Sequence, residues 1–404
     1  MALRDPTPLL GGLSPAGFMR RHWQKKPLRV RGALAPSAFG ASPSDIFALA
    51  AQDGVESRLV ERSADGRWKL RQGPFARRAL PPLARPGWTL LVQGVDLHLE
   101  AAHRLLRRFD FLPGVRLDDL MVSYASAGGG VGPHVDSYDV FLLQVAGQRR
   151  WRIGADARAK KLPLRDDVPL RMLAQFEPAE EWLLEPGDML YLPPGWAHDG
   201  AAEGSGCMTA SIGFRSPSAD DLASALLQRM ADDLQDAPRN GRSNRARAGS
   251  GMLYRDAGQR ATETPAAVPP ALQRFAGRSV AQALADPRRL ERALGEWLSE
   301  PKAQVVFEPA SPRGCAARLT QGVRLDRRTR MAYDERYVYI NGESYRASGA
   351  DARLMRTLAD ECRLSGAAVT HASAAARDLL TEWRDAGWLH PSADNQEDAH
   401  AAAP

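Results

Sequence analysis

The chain has 404 residues, a formal net charge of +6, 44% hydrophobic and 25% charged residues, proportions that exclude wholesale disorder and a collagen-like fibre. At roughly 150 residues per domain, the length predicts two or three domains, each able to bury a core. The mild positive balance permits a nucleic-acid or ribonucleoprotein partner without requiring one.

No apolar run approaches the ~20 residues that cross a bilayer, and the start Met1-Ala2-Leu3-Arg4-Asp5-Pro6 lacks the apolar stretch of a secretion signal. Three widely spaced cysteines, Cys207, Cys315 and Cys362, argue against a disulfide framework and for a reducing cytosol. The expectation is a cytoplasmic protein without membrane contact.

Ser14-Pro15 opens a helix with cap chemistry ahead of Phe18, Met19 and Trp23. Short β-rich runs bounded by Gly and Pro follow at Leu28 to Arg31, Trp88 to Val92 and Leu120 to Tyr124. Strand density continues to about Phe214 and predicts a sandwich or barrel. After Ser216-Pro217-Ser218 the period changes. Leu222, Leu226, Leu227, Met230 and Leu234 recur at helical spacing, and helical patterns resume from Val280 to Leu298. Between them lies a basic stretch, residues 238–247, that reads as a solvated loop or a phosphate-contacting patch. Further on, Asn341-Gly342 between β-rich arms predicts a hairpin. Helices are expected at 352–362 and 374–386, a pattern that fits a winged-helix type of domain. The expected organisation is 1–215, 216–300 and 301–390, with a frayed tail over 391–404.

The chemistry concentrates in Gly128-Gly129-Gly130-Val131-Gly132-Pro133-His134-Val135-Asp136. On a strand, His134 and Asp136 share a face, because side chains alternate with period two. His198, at the end of Gly187-Asp188 through Pro193-Pro194-Gly195-Trp196-Ala197-His198, is the candidate third ligand from a neighbouring strand. Two histidines and one carboxylate leave the other coordination positions open, the facial triad of non-haem Fe(II) oxygenases. No thiolate joins them, which disfavours a structural zinc site. The glycine run lacks the Gly-Lys-Ser/Thr continuation of a phosphate-binding loop.

The segment Asp139 to Ile153 reads as a hairpin turning at Ala146-Gly147. Arg149, Trp151 and Ile153 then share an inward face. An inward arginine is costly unless it meets an anion. That anion is either a dicarboxylate cosubstrate, gripped bidentately, or an acid of the protein itself. Arg150 and Arg152 read as surface charges. Ser123, Tyr124, Thr209 and Ser211 are candidates for further polar contacts.

At these residues the chain resembles the bacterial JmjC-type ribosomal oxygenases, 2-oxoglutarate-dependent arginine hydroxylases. The resembling stretches are Trp23-Gln24-Lys25-Lys26-Pro27-Leu28, Gly129 through Phe141, Gly187 through His198, and Ser211-Ile212-Gly213-Phe214-Arg215. The resemblance implies mixed α and β structure: an N-terminal double-stranded β-helix barrel of the cupin or jelly-roll (JmjC) type, a helical middle module that dimerises, and a C-terminal winged-helix-like domain. It implies Fe(II) on His134, Asp136 and His198. It also implies 2-oxoglutarate held at its distal carboxylate by Arg149, with Ser211 on the cosubstrate side. Tyr138 and Ser123 become candidate substrate residues. The implied reaction hydroxylates the β-carbon of an arginine in the sixteenth large-subunit ribosomal protein, free or on the ribosome, and releases succinate and carbon dioxide. No direct nucleic-acid binding is required for it.

Two other readings remain open at this point. The same barrel could act on another protein residue or on RNA, or serve as a cupin ligand sensor feeding a winged-helix regulator. Against the regulator, the helix at 374–386 carries Arg377 and Arg384 against Asp378, Glu382 and Asp385, a poor recognition helix.

Overall fold

A computed structural model of the chain describes residues 3–156, 162–236, 253–257, 260–261, 264–309 and 319–392. The basic stretch at 238–247, Cys315 and the tail from 393 onward lie outside the described residues. The chain forms two compact units. The first comprises Met1–Pro217, Pro301–Thr329 and Ser365–Pro404, and the second Ser218–Glu300 and Arg330–Leu364. No described helix is long and apolar enough to cross a membrane.

The first unit begins with α1 (Pro15–Arg21), capped as expected by the Ser14 hydroxyl, which accepts from the Gly17 amide at 3.1 Å. Strands β1 (Leu28–Val30), β2 (Ser57–Arg62), β3 (Trp68–Gln72), β4 (Trp88–Val92), β5 (Leu117–Ala125), β6 (His134–Val135), β7 (Asp139–Asp156), β8 (Glu180–Leu184), β9 (Met189–Leu192) and β10 (Trp196–Phe214) follow. They form one ten-stranded sheet in the order β1-β9-β7-β10-β5-β4-β2-β3, with β6 paired to β10 and β8 to β7. The observed pairings are antiparallel, and the long strands β7 and β10 form the spine. Helices α2 (Pro43–Ala50) and α3 (Glu100–Leu106) bury Ile46, Phe47, Leu49, Leu105 and Leu106 in the main core. At its centre Phe18, Phe109, Phe141, Tyr191 and Phe214 meet ring to ring.

The hairpin expected at Ala146-Gly147 does not form. Residues 139–156 run as one strand along β10, with register shifts around Met208. Gly147 takes φ +60° and bends the strand instead of reversing it. The inward face is nevertheless as expected: Arg149, Trp151 and Ile153 are buried, whereas Arg152 is exposed. In the C-terminal part of this unit, strand Leu389–Pro391 pairs with Gly322–Leu325. Pro391 and Ser392, which composition assigned to the tail, are therefore tied down opposite Val323 and Gly322.

A buried carboxyl in this unit sets a pH dependence. Asp96 is 5% exposed and accepts a hydrogen bond from the Leu120 amide at 2.8 Å. Desolvation raises its pKa to about 7, against the opposing pull of that amide. The native state therefore keeps a proton that the unfolded chain has released. Stability attributable to Asp96 is full below about pH 4 and falls as pH rises towards 7, by on the order of 1 kcal/mol per pH unit. Asp96→Asn keeps the acceptor and carries no charge. It is expected to flatten the melting temperature between pH 5 and 8 and to raise it by several degrees at pH 8. An unchanged pH profile in calorimetry would show that Asp96 is not the group responsible.

The second unit holds α4 (Ala219–Asp236), α5 (Pro270–Leu284) and α6 (Pro287–Ser299), then a three-stranded sheet and α7 (Gly349–Glu361). The expected hairpin is present, with Tyr337–Ile340 paired to Glu343–Arg346. Its turn residues Asn341 and Gly342 have φ of 48° and 88°, the signature that Asn-Gly supplies. Leu226 and Met230 of α4 pack on Ala293 of α6. Arg229 bridges to Glu296 and Glu300, and Ser344 donates to Glu296. By contrast, α5 buries none of its residues.

Candidate metal centre

His134 and His198 face each other directly across the β6–β10 pair, with ring centroids 4.2 Å apart. Asp136 lies one residue beyond β6. Its carboxylate is 3.8 Å from His134 Nε2 and 3.6 Å from His198 Nε2. One ligand atom from each of the three lies within 4.8 Å of the others, and no second group of this kind occurs among the described residues. Val135, between His134 and Asp136, is 37% exposed and points away, as strand alternation requires.

The tautomers follow from the backbone. Nδ1 of His134 lies 2.9 Å from the Gly132 carbonyl, and Nδ1 of His198 lies 2.9 Å from the Trp196 carbonyl. A carbonyl only accepts, so each Nδ1 carries the proton and each Nε2 presents its lone pair to the space beside Asp136. Burial, with the adjacent His134, lowers the pKa of His198 to about 4, so the ring is neutral and ligand-competent at pH 7. Two imidazole nitrogens and one carboxylate oxygen suit a divalent transition metal of the iron type and leave coordination positions free.

The glycine run holds this geometry by close approach. A Cβ on Gly130 would fall 2.4 Å from the Gly200 carbonyl oxygen, and one on Gly129 would fall 2.3 Å from that of Trp88. The amide of Gly195, at φ +84° in the Pro-Pro-Gly turn, donates to the Asp136 carbonyl at 2.8 Å. The two motifs far apart in sequence are thereby tied together at the ligands.

Arg149 sits opposite Ala202 on β10, four residues from His198, or about 13 Å along the strand. It is 4% exposed. Its guanidinium makes two long hydrogen bonds, 3.4 Å to the Gly200 carbonyl and 3.4 Å to Ser123 Oγ, lies over the Trp151 ring at 5.7 Å, and leaves its Nε without a partner among the described residues. None of the described acids forms an ion pair with it. Arg150 instead pairs with Glu181 and Glu203, and Arg152 with Asp199.

A family model described as a JmjC domain matches residues 104–222, and one described as a ROXA-like winged helix matches residues 282–390. The ribosomal protein uL16 3-hydroxylase of Escherichia coli is 34% identical over 298 residues, 73% of this chain and 74% of that protein. The chain belongs to the JmjC-domain ribosomal oxygenases. A solved structure of E. coli YcfD superposes on this ribosomal oxygenase with a TM-score of 0.77 at 29% identity, covering 94% of this chain and 98% of that one. YcfD has also been solved in complex with cobalt and 2-oxoglutarate, with a TM-score of 0.73 at 30% identity and the same coverage.

The remaining sequence-predicted residues of this ribosomal oxygenase are distributed unevenly. Tyr138 lies beside the triad, and its pKa is raised by desolvation and by a hydrogen bond to the charged Asp136. Ser123 is within reach of Arg149 and so belongs to the guanidinium's surroundings. Ser211 is buried, two residues along β10 from Thr209, and the guanidinium reaches Ser123 rather than Ser211.

Sequence reasoning missed two supports. Gln144 is fully buried, accepts from the Thr209 hydroxyl at 2.9 Å, and donates to the carbonyls of Ala146 and Gly147 at 2.7 and 3.1 Å. It therefore clamps the bend that aims Arg149 inward. Its only signal was an amide within the apolar run Phe141 to Val145. The second is Asp139, fully buried three residues beyond Asp136. It accepts from Tyr191 Oη at 2.6 Å, Gln24 Nε2 at 3.0 Å and Arg116 at 3.0 Å. Gln24 of the Trp-Gln-Lys-Lys-Pro motif thus anchors the start of β7.

Proposed function

We propose that this ribosomal oxygenase is an Fe(II)- and 2-oxoglutarate-dependent hydroxylase of a ribosomal-protein arginine, acting at its β-carbon and yielding succinate and carbon dioxide. The observation that carries the reading is the buried Arg149, unpaired with any described acid and on the same strand face as the His134–Asp136–His198 triad. A buried guanidinium without a carboxylate is strongly disfavoured, and a dicarboxylate ligand supplies what it lacks.

In this reading His134, Asp136 and His198 hold Fe(II), and Arg149, with Ser123 beside it, holds the distal carboxylate of 2-oxoglutarate, Ser211 being the further candidate on the cosubstrate side. The bound metal and cosubstrate supply the oxidising chemistry. The chain's own residues position and exclude. The Gly132 and Trp196 carbonyls fix both imidazoles, Trp151 packs on His198 at a ring separation of 5.8 Å, and Arg149 sets the orientation of the cosubstrate. Tyr138 lines the substrate side.

The segments divide the work as a catalytic part over 1–215, a helical dimerisation part over 216–300, a winged-helix-like part over 301–390 and a tail over 391–404. Support for a homodimer comes from α5, which exposes Val280 by 60% and Leu284 by 47% and buries nothing. Support for a cytoplasmic location comes from the ribosomal substrate of this reading and from the sparse, widely spaced cysteines Cys207, Cys315 and Cys362.

The test is mass spectrometry of ribosomal proteins incubated anaerobically with enzyme, Fe(II) and 2-oxoglutarate and then exposed to oxygen. The expected result is a gain of one oxygen on one arginine of uL16 that requires 2-oxoglutarate. Succinate without that gain would overturn the substrate, and neither product would overturn the reaction.

A further inference from the structure

The second unit contains a cavity that the hydroxylation chemistry does not use. Leu253, Tyr254 and Arg255 face Ala271, Arg274, Phe275 and Arg278 of α5 around a volume of about 690 Å³. The α5 residues fall at i, i+3, i+4 and i+7, one stripe of the helix. Leu272, Val280 and Leu284, the exposed apolar residues, lie on another side of it. The cavity is therefore separable from the face proposed for dimerisation.

Its chemistry is one-sided. Arg255, Arg274 and Arg278 are all exposed, and none forms an ion pair with a described acid. The Tyr254 and Phe275 rings lie 5.6 Å apart at 56°. The Tyr254 hydroxyl is buried and has no hydrogen-bond partner among the described residues. The same stretch of sequence is basic overall, although Arg239, Arg242, Arg245 and Arg247 lie outside the described residues. Residues 239–278 contain eight arginines against Asp256 and Glu263, a net charge equal to the +6 of the whole chain. The remainder of the protein is electrically balanced.

We propose that this cavity is an RNA-binding site, with Arg255, Arg274 and Arg278 on backbone phosphates and a base against the Tyr254–Phe275 pair. Three unpaired guanidinium groups fit a polyanion. The adjoining aromatic rings favour a nucleic acid over an acidic peptide, because bases stack where carboxylates do not. The choice of RNA over DNA rests on the reading of the substrate as a ribosomal protein. Binding would hold the enzyme on the ribonucleoprotein that carries its substrate, without entering the reaction itself.

The experiment is a fluorescence-anisotropy titration of the full chain with a labelled 20-nucleotide single-stranded RNA at several salt concentrations, without iron or 2-oxoglutarate. The Arg255→Ala/Arg274→Ala/Arg278→Ala variant is expected to bind at least ten-fold more weakly. Its plot of log affinity against log salt should be shallower by about 2, at roughly 0.7 for each phosphate no longer neutralised. A control that removes equal charge at exposed sites elsewhere, Arg20→Ala/Arg21→Ala/Arg108→Ala, should keep the wild-type affinity. Succinate formation on a short substrate peptide should be the same in all three proteins. That assay reports separately on the hydroxylase reading, so each can fail alone. Equal loss in both triple variants, or none in the cavity variant, would overturn the site. Polyglutamate competing as well as RNA would overturn the ligand class, and DNA of the same sequence competing better than RNA would overturn the choice of RNA.

Discussion

His134→Ala is expected to abolish hydroxylation, lowering succinate formation by more than about 100-fold, beyond the loss seen when only a ligand's outer support is removed. The chain offers no replacement, since no other His, Cys, Asp or Glu of the described residues joins the cluster. With the imidazole gone, His198 and Asp136 retain two donors, too few to define an open three-ligand face. His134 is partly exposed at the start of a two-residue strand, so the substitution should leave the melting temperature nearly unchanged. Iron content of the purified protein is the decisive readout. A variant that folds, keeps one equivalent of iron and turns over would remove His134 from the metal site.

Arg149→Ala separates the cosubstrate from the metal. The three ligands remain, so iron binding should persist. The distal carboxylate of 2-oxoglutarate would be left buried without a partner, a loss of about 3–5 kcal/mol. The expected effect is a rise in the KM for 2-oxoglutarate on the order of 10²–10³-fold, with little change in the iron requirement. Arg149→Lys, which keeps the charge and loses the bidentate fork, should fall between the two. An unchanged KM in the alanine variant would move the anion site elsewhere. The variant is also informative about stability, because Arg149 makes two long neutral hydrogen bonds, lies over the Trp151 ring at 5.7 Å and has an Nε without a partner among the described residues. Removing it from the ligand-free protein should cost little, and an increase in melting temperature would fit a guanidinium kept for function.

The ligands were legible in the sequence because their constraint is local. The period-two spacing of His134 and Asp136 decides that they share a face, and Gly195 and the glycine run mark where backbone must approach backbone. The face of Arg149 was legible for the same reason, through its apolar neighbours Trp151 and Ile153. The path of the chain around it was not. Ala146-Gly147 resembles a hairpin turn, yet the partner available to residues 148–156 is β10, already paired to residues 139–146. Continuing along that partner satisfies more backbone groups than reversing, so the glycine bends the strand.

The supports around the site were hidden because they are long-range. Asp139 is joined to Gln24, 115 residues away, and Tyr191 lies 52 residues on. Gln144 is joined to Thr209, 65 residues away. A buried carboxylate or amide reveals its partners only when folded, since hydrogen bonding is dictated by distance in space and not along the chain. Nor could composition anticipate that residues 301–390 divide between the two units, with 330–364 in the second, or that Pro391 ends a paired strand.

The sequence by itself determined which residues could bind a metal and an anion, where strands give way to helices, and where the positive charge is concentrated. These are properties of residue type and short-range period, encoded within a few residues. Only the tertiary structure decided that His198 closes on His134 across a strand pair, that both Nδ1 atoms are engaged by carbonyls, and that Arg149 is buried without an acid. Each of these depends on the register between β6, β7 and β10, and register is chosen by the burial of whole faces at once.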